Sequence, residues 1–310
     1  MFLFKIWQRF IKPYATGYLP EKDGHRIFYQ EVGNPNGEPV IVFHGGPGGA
    51  CPAFFASIFD LKRQRVILFD QRGCGKTISE DPLRKNTAQD TIEDASRLLM
   101  HLRILEKVVC AGGSWGSTLA LLFTETYPRK VKKLVLNSIF LGRRKDTEYL
   151  SPLAPYFSPD ALEIVKKEAQ GEKPDKYYNK LLFSDNLADR EKAIIYYKKL
   201  EKLTCGAALK VEFPKTKVTE RQINSFRIFM HYQLHHFFLK DNQILNDIKA
   251  IQNIPTVIYQ NRLDFCCPPN QAFDLHKAMP KAEFYLIPDK GHGSDMLYYA
   301  MHKAAKKASS

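Results

Sequence analysis

Three residues of this sequence have the types and the order needed to turn a hydroxyl group into a nucleophile. They are Ser114, Asp264 and His292. A serine hydroxyl attacks a carbonyl carbon efficiently only when a base removes its proton, and a histidine held by a carboxylate is such a base. Their order along the chain (nucleophile, acid, histidine) matches one of the known arrangements of a catalytic triad. Together they predict acyl transfer through a covalent serine intermediate.

The serine lies in a local pattern that favours this chemistry. Residues 107–111 (KVVCA) predict a buried strand, and residues 117–122 (STLALL) predict a helix. Between them, residues 112–116 (GGSWG) fit the G-x-S-x-G elbow, a sharp turn that exposes the serine hydroxyl. Such a turn can also simply connect a strand to a helix. The flanking strand and helix, together with the acid and the histidine, favour the nucleophile.

The acid and the histidine also follow predicted core strands. Residues 254–259 (IPTVIY) precede Asp264, and residues 283–287 (EFYLI) precede His292. The carboxyl ends of parallel strands meet at one edge of a sheet, where ligands bind in such folds. Taken singly, the aspartate could cap a helix and the histidine could be solvated. We expect the three side chains to meet because all three occur in the correct order.

A glycine-rich loop, residues 44–49 (HGGPGG), follows the short apolar strand 40–43. A phosphate-binding loop would need a Gly-Lys-Ser/Thr ending, which is absent here. The loop instead predicts half of an oxyanion hole. We expect the backbone N–H groups of Gly46 and Trp115 to bind the developing negative charge.

These residues are positioned by an alternation of strands and helices that predicts the fold class. Further strands are expected at 26–32, 65–69 and 131–136, and an amphipathic helix at 90–105. The alternation predicts an α/β fold with a mostly parallel sheet and helices on both faces.

Between residues 141 and 247 the sequence shows no convincing core strand. Residues 158–160 resemble a helix start, and residues 186–203 predict a separate long helix. We therefore expect residues 1–140 and 248–310 to form the core. Residues 141–247 are expected to form a helical cap over the active site.

Four motifs together resemble those of the proline iminopeptidases, a family of α/β-hydrolases. They are HGGPGG at 44–49, DQRGCG at 70–75, GGSWGS at 112–117 and NRLD at 261–264. The resemblance covers about residues 13–303. It implies an α/β-hydrolase fold with a helical cap, release of N-terminal proline from peptides, and no metal or other cofactor. It also implies that Ser114 attacks the scissile carbonyl, and that Phe140 and Gly45 help to form the substrate site.

The cap segment departs from the family pattern. The family's W-x-x-W-E is matched by residues 197–201 (YKKLE), so both tryptophans are lost and the acid Glu201 is kept. A second family glutamate is replaced by Phe229. By resemblance, Glu201 binds the free amino group of the substrate. It could instead pair with lysines on its own helix. A weaker amine tether is therefore expected.

Composition limits the other function classes. The net charge is +13, but the lysines are spread along the chain and accompany no nucleic-acid motif. We expect a solvated basic surface and no nucleic-acid partner. The six cysteines show no framework spacing, which predicts free thiols in a reducing, cytoplasmic compartment.

No metal site is expected from the spacing of the possible ligands. Cys266 and Cys267 are adjacent, with no second cysteine pair to complete a zinc site. His231, His235 and His236 lack the acid of an H-E-x-x-H arrangement.

No apolar run is long enough to cross a bilayer. The apolar, basic residues 1–12 could lie on a membrane surface, although packing on the body of the protein is favoured. The oligomeric state stays open.

The leading hypothesis is a serine aminopeptidase that releases proline from small peptides through a prolyl ester of Ser114. A second hypothesis keeps the triad for an ester, a lactone or an amide without a free amine, because the cap has lost its tryptophans and carries Phe229. A third is a non-catalytic interaction protein on a hydrolase scaffold.

Overall fold

The computed structural model of the protein describes residues 6–149, 163, 166–204 and 218–307. The strands are β1 Ala15–Tyr18, β2 His25–Arg26, β3 Phe28–Gly33, β4 Glu38–Phe43, β5 Gln64–Phe69, β6 Ile78–Ser79, β7 Val108–Ser114, β8 Val131–Ile139, β9 Thr256–Leu263 and β10 Glu283–Lys290. The described α-helices are α1 Ala88–His101, α2 Trp115–Thr126, α3 Arg144–Tyr149, α4 Pro174–Leu182, α5 Leu187–Thr204, α6 Glu220–Leu234, α7 Gln243–Asp247, α8 Pro269–Ala278 and α9 Asp295–Lys307. Short 3-10 helices lie at Ala53–Ile58, Pro128–Lys130, His236–Phe238 and Ile248–Ala250.

Eight strands form one mostly parallel sheet in the order β1-β3-β5-β4-β7-β8-β9-β10. The pairs β1–β3 and β3–β5 are antiparallel, and every pair from β5 to β10 is parallel. Strands β2 and β6 form a separate antiparallel pair. The predicted fold class is confirmed.

The central strands are apolar throughout because both faces of the sheet are covered. Along β4, Ile41 and Phe43 pack into one core cluster with helices α1 and α2. Val40 and Val42 point the other way and pack with helix α9. All four side chains are buried, as expected for strands in the middle of a parallel sheet. A separate hydrophobic core therefore packs against each face of the sheet.

The sequence located the central strands well and missed elements at the ends of the fold. It gave no indication of β1 or α9, predicted α6 only as part of a helical insertion, and ended β7 three residues early. Helix α6 begins at a capping box in which the Thr219 side chain accepts from the backbone N–H of Gln222, whose own side chain accepts from Thr219. This local signature marks the start of α6 within the segment expected to be helical.

The described residues between 141 and 247 contain helices α3 to α7 and no strand. The expected long helix at 186–203 corresponds to α5. The expected helix start at residues 158–160 lies outside the described residues. The division into a core and a cap stays a prediction.

The start of the described chain packs on the body of the protein. The ring of Trp7 lies 5.1 Å from that of His302, and the Gln8 Nε2 group donates to the Ser57 hydroxyl over 2.9 Å. Among the described residues, no helix combines the length and apolar character that a membrane crossing requires.

One partly buried acid makes the stability of the fold depend on pH. Glu125, near the end of α2, has an Oε1 atom that is buried without a hydrogen-bond partner among the described residues. Burial, and secondarily the carboxylate of Asp247, raise the pKa of Glu125 to about 8. Since the unfolded pKa is about 4.3, the folded protein binds an extra proton between these two values. The free energy of unfolding should therefore fall as the pH rises through this interval.

Glu125→Gln tests this linkage. A glutamine cannot ionise, so the variant should gain stability relative to the parent as the pH is raised from 5 to 9, by up to a few kcal/mol at the upper end. Urea unfolding at a series of pH values measures the difference. The exposed Glu106 provides the control variant Glu106→Gln. A stability difference for Glu125→Gln that does not change with pH would contradict the assignment.

Candidate active site

Ser114 lies at a strained turn between strand β7 and helix α2. Its backbone has φ 57° and ψ −131°, a combination that costs energy for any residue with a side chain. The glycines on either side of Ser114 pack so closely against other backbone atoms that a side chain at either position would not fit. A Cβ atom on Gly112 would lie 2.0 Å from the carbonyl oxygen of Gly116, and one on Gly116 would lie 2.0 Å from that of Phe43. Both glycines of the G-x-S-x-G pattern are therefore required sterically.

Asp264 follows β9 and is only 1% exposed. One carboxylate oxygen, Oδ1, accepts the backbone N–H groups of Cys266 and Cys267, each over 2.9 Å. The other, Oδ2, accepts from the Nε2 group of Gln260 over 3.2 Å. The Nδ1–H group of His292 donates to both oxygens, at 3.1 and 3.0 Å. The buried charge is therefore fully paired by hydrogen bonds.

Hydrogen bonds between their loops hold the acid and the histidine together. The Asn261 side chain donates to the carbonyl oxygen of Gly291 over 2.9 Å and to the Ser294 hydroxyl over 3.1 Å. The backbone N–H of Gly291 donates to the carbonyl oxygen of Leu263 over 3.0 Å. These bonds fix the loop of residue 292 against the end of strand β9.

The surroundings of His292 make its ring a strong base. Burial alone would lower its pKa, but the neighbouring Cys266 and the Asp264 carboxylate outweigh burial and raise the pKa well above its usual value. Asp264 also fixes the ring orientation through Nδ1, which leaves Nε2 as the nitrogen available to a second partner.

A cavity of about 430 Å³ lies above the carboxyl edge of the sheet. Five of the predicted site residues line it, namely Gly45, Gly46, Ser114, Phe140 and His292. Asp264 lies behind His292. The Trp115 side chain is fully buried beneath the turn. The residue's backbone N–H lies at the first position of α2, where it has no partner within the helix. The cavity is therefore bordered by both the serine and the histidine.

The two segments expected to supply the oxyanion hole are joined by Gln71. Its Nε2 group donates to the carbonyl oxygen of His44 over 2.8 Å, and its Oε1 accepts from the indole N–H of Trp115 over 3.2 Å. Its backbone N–H donates to the His44 Nε2 atom over 3.0 Å. The His44 Nδ1 atom lies 2.8 Å from the Gly45 carbonyl oxygen, which requires the Nδ1–H tautomer. Burial lowers the pKa of His44, which keeps this ring neutral.

Comparison with known proteins identifies the family of this chain. Residues 38–294 match the family model described as the alpha/beta hydrolase fold. A "Probable proline iminopeptidase" of Leptolyngbya boryana is 38% identical, over 91% of this chain and 89% of its own. The proline iminopeptidase of Arabidopsis thaliana is 37% identical, over 92% and 77%. This chain belongs to the proline iminopeptidase family of α/β-hydrolases.

Solved structures support the fold alone. The crystal structure of VinJ superposes with a TM-score of 0.66 at 18% identity, covering 96% of this chain and 99% of that one. At this identity the likeness carries no information about substrate.

Helices α5 and α6 close one side of the cavity with mostly aromatic side chains. Its lining includes Tyr197, Ser225, Phe226 and Phe229. Phe229 therefore faces the cavity, at the position where the resemblance to the family led us to expect an acid. The Ser225 hydroxyl donates to the carbonyl oxygen of Gly48 over 2.7 Å, which ties α6 to the glycine-rich loop. The side chain of Glu201 lies outside the described part of the chain.

One group of side chains that could bind a metal ion lies close together in the described part of the chain. Ligand atoms of Cys266, Cys267 and His292 lie within 4.8 Å of one another. The spacing of the cysteines gave no sign of this group because His292 lies on a different loop. His235 Nδ1 lies 2.7 Å from the carbonyl oxygen of His231, and the ring of His235 stacks on Phe238, 5.0 Å away. These contacts give the two histidines a packing role.

Sequence reasoning overlooked two positioning residues, Gln71 and Gln260. Gln260 donates to Asp264 and accepts from the backbone N–H of Ile139 over 2.9 Å. Both glutamines are polar residues at or just after a strand that is otherwise apolar. A polar residue within or next to an apolar strand could have indicated a positioning role, because a buried amide needs hydrogen-bond partners.

Gln71→Ala should slow the reaction of Ser114 with a serine-directed phosphonate by roughly 10- to 100-fold, because the glycine-rich loop and the turn lose their shared partner. The second-order labelling rate measures this effect. Gln71→Glu keeps the acceptor for Trp115 and loses the donor to His44, so it reports on the two bonds separately. Labelling of Gln71→Ala at the parental rate, in a folded variant, would exclude the positioning role.

Proposed function

We propose that this protein is a proline iminopeptidase, a serine hydrolase that releases the N-terminal proline of small peptides. The observation that carries the proposal is the pairing of His292 with the buried Asp264 at a cavity that Ser114 also lines. The close match to relatives named proline iminopeptidase supplies the substrate class.

In the proposed mechanism, His292 removes the hydroxyl proton of Ser114 as its oxygen bonds to the prolyl carbonyl carbon. Backbone N–H groups of Gly46 and Trp115 bind the oxyanion, each donor contributing about 3 kcal/mol in comparable sites. Asp264 stabilises the imidazolium ring that forms.

The tetrahedral intermediate then breaks its C–N bond. His292 gives its proton to the leaving amine, and a prolyl ester of Ser114 remains. Water attacks that ester while His292 accepts one of the water protons. The proton returns to Ser114 as free proline leaves. No metal or other cofactor takes part in this sequence of steps.

We propose that residues 141–247 form a cap that selects the substrate, with residues 1–140 and 248–310 as the hydrolase core. The aromatic lining from Phe140, Phe226 and Phe229 suits the apolar face of a proline ring. Glu201, on the same helix as Tyr197, is proposed to bind the charged amino group. A carboxylate in an apolar cavity binds such a cation strongly.

We also propose a cytoplasmic location. Among the described residues, the cysteines at 51, 74, 110, 266 and 267 form no disulfide bond, which suits a reducing compartment.

The function is tested with the anilides of proline, alanine and N-acetylproline. The parent should cleave the prolyl anilide fastest and should lose roughly 10- to 100-fold in kcat/KM with the acetylated substrate, whose amine can no longer be bound as a cation. Ser114→Ala should lower kcat by about a millionfold. Ser184→Ala, outside the cavity lining, is the matched control. Equal rates on free and acetylated substrates would favour an esterase or amidase without an amine tether.

Glu201→Gln separates the amine tether from the catalytic machinery. The variant should lose roughly 10- to 100-fold in kcat/KM on the prolyl anilide and keep the parental rate of phosphonate labelling at Ser114. Glu191→Gln, on the same helix, is the control. An unchanged kcat/KM for Glu201→Gln would show that another group holds the amine.

A further inference from the structure

The cavity has a second wall, which the proposed mechanism does not use. Phe55, Ile58 and Tyr298 all line the cavity. Phe55 and Ile58 belong to the 3-10 helix Ala53–Ile58, and Tyr298 lies near the start of helix α9. All three belong to, or pack against, one core cluster. This wall is separate from the aromatic side chains of α5 and α6, which pack in another cluster.

The hydroxyl group of Tyr298 lies beside the loop that carries His292. A Cβ atom on Gly293 would be only 2.8 Å from the Tyr298 Oη atom, so a glycine leaves room for the hydroxyl there. Among the described residues, no group forms a hydrogen bond with this hydroxyl. Burial outweighs the opposing influence of His292 and raises the pKa of Tyr298, so the hydroxyl keeps its proton. The second wall therefore offers an unused hydrogen-bond donor next to the proposed catalytic base.

The rest of this wall is apolar. The Phe55 and Tyr298 rings meet edge to face, with their centroids 6.5 Å apart. The ring of Phe54, which is 39% exposed, packs against Phe55 with a centroid distance of 4.7 Å. Ile58 is buried beside them. A large apolar side chain with a carbonyl group nearby would match both the apolar surface and the hydroxyl.

The chemistry of the proposed mechanism places the leaving group beside this wall. His292 gives its proton to the leaving amine, so that nitrogen has to lie within hydrogen-bond reach of the ring. The prolyl group is proposed to lie against the aromatic residues Phe140, Phe226 and Phe229. The residue after the proline then extends from Ser114 past His292, toward Tyr298.

We propose that Phe55, Ile58 and Tyr298 form the subsite for the residue that follows the N-terminal proline, and that this subsite selects a large apolar or aromatic side chain. The inference rests on the proposed function, because it takes a prolyl peptide as the substrate. The selected side chain packs against Phe55 and Ile58, and the Tyr298 hydroxyl donates to the carbonyl oxygen of the same residue.

Charged side chains are expected to be disfavoured in this subsite. Among the described residues that line the cavity, none is a lysine, an arginine, an aspartate or a glutamate. A charged side chain on the leaving residue would lose hydration there without gaining an ion pair from these lining residues.

The subsite acts on only one half of the reaction. The leaving residue departs when the prolyl ester of Ser114 forms, and every prolyl substrate then shares the same ester. Hydrolysis of that ester cannot depend on the residue that has left. The preference should therefore appear in kcat/KM, which reports the steps up to the formation of the ester.

The parent chain is tested with prolinamide and with the amides of Pro-Gly, Pro-Phe and Pro-Asp, by measuring the release of proline. The value of kcat/KM should be roughly 10- to 100-fold higher for the Pro-Phe amide than for the Pro-Gly amide, because only the former fills the apolar wall. The Pro-Asp amide should be a poorer substrate than the Pro-Gly amide.

Tyr298→Phe removes only the hydroxyl group. The variant should lose roughly 5- to 10-fold in kcat/KM on the Pro-Gly and Pro-Phe amides and keep the parental value on prolinamide, which has no second carbonyl group. Tyr299→Phe, the next residue on α9 and absent from the described lining, is the matched control. Tyr298→Phe should fold, because among the described residues its hydroxyl has no partner to lose.

Phe55→Ala tests the apolar part of the wall. It should lower the preference for the Pro-Phe amide over the Pro-Gly amide by roughly 10-fold, because an aromatic contact with the leaving side chain is lost. If this variant does not fold, Tyr298→Phe and the substrate series of the parent still decide the question.

Equal kcat/KM values for the parent on the Pro-Gly and Pro-Phe amides would overturn the subsite and leave the proposed function intact. A Tyr298→Phe variant that keeps the parental values on all substrates, or loses as much on prolinamide as on the dipeptide amides, would overturn the role of the hydroxyl. A parent that cleaves no prolyl substrate would overturn the proposed function and the subsite together.

Discussion

The active-site edge of this protein depends on one buried carboxylate. A charge that is 1% exposed persists only when hydrogen bonds replace the water it has lost, and Asp264 obtains them from Gln260, His292 and two backbone N–H groups. Meeting that requirement orients the histidine ring and folds the turn at 264–267. It also places two thiols beside the same ring. The orientation of the proposed catalytic base is therefore a consequence of the need to pair a buried charge.

A second network positions the serine and the proposed oxyanion hole. Gln71 joins the glycine-rich loop to the turn through His44 and Trp115. Ser114 meanwhile keeps a backbone conformation that only close glycine contacts permit. Strain at the nucleophile is maintained because the surrounding sheet and buried amides leave the turn no relaxed alternative. Helices α5 and α6 line one side of the cavity at this edge with aromatic side chains, which suits the small apolar ring of the proposed substrate.

Much of the architecture could be predicted from the residues alone. Apolar runs such as 40–43 are buried on both faces, so their strand assignment and the parallel sheet followed directly. The elements that were missed, such as β1 and α9, lie at the ends of the fold, where one-sided burial gives a weaker pattern. The pairing of His292 with Asp264 was expected from chain order. The bonds made by Gln71 and Gln260 were not, because their partners are distant in sequence.

By itself, the sequence determined the reactive groups and their order along the strands, because strand periodicity and the glycine pattern are local properties. Only the tertiary structure decided which side chains share the cavity. It placed Phe229 in the lining, buried Trp115 beneath the turn, and brought His292 close to Cys266 and Cys267. Such meetings depend on how separate loops converge at the sheet edge. Residue spacing within one segment cannot predict which side chains from different loops come into contact.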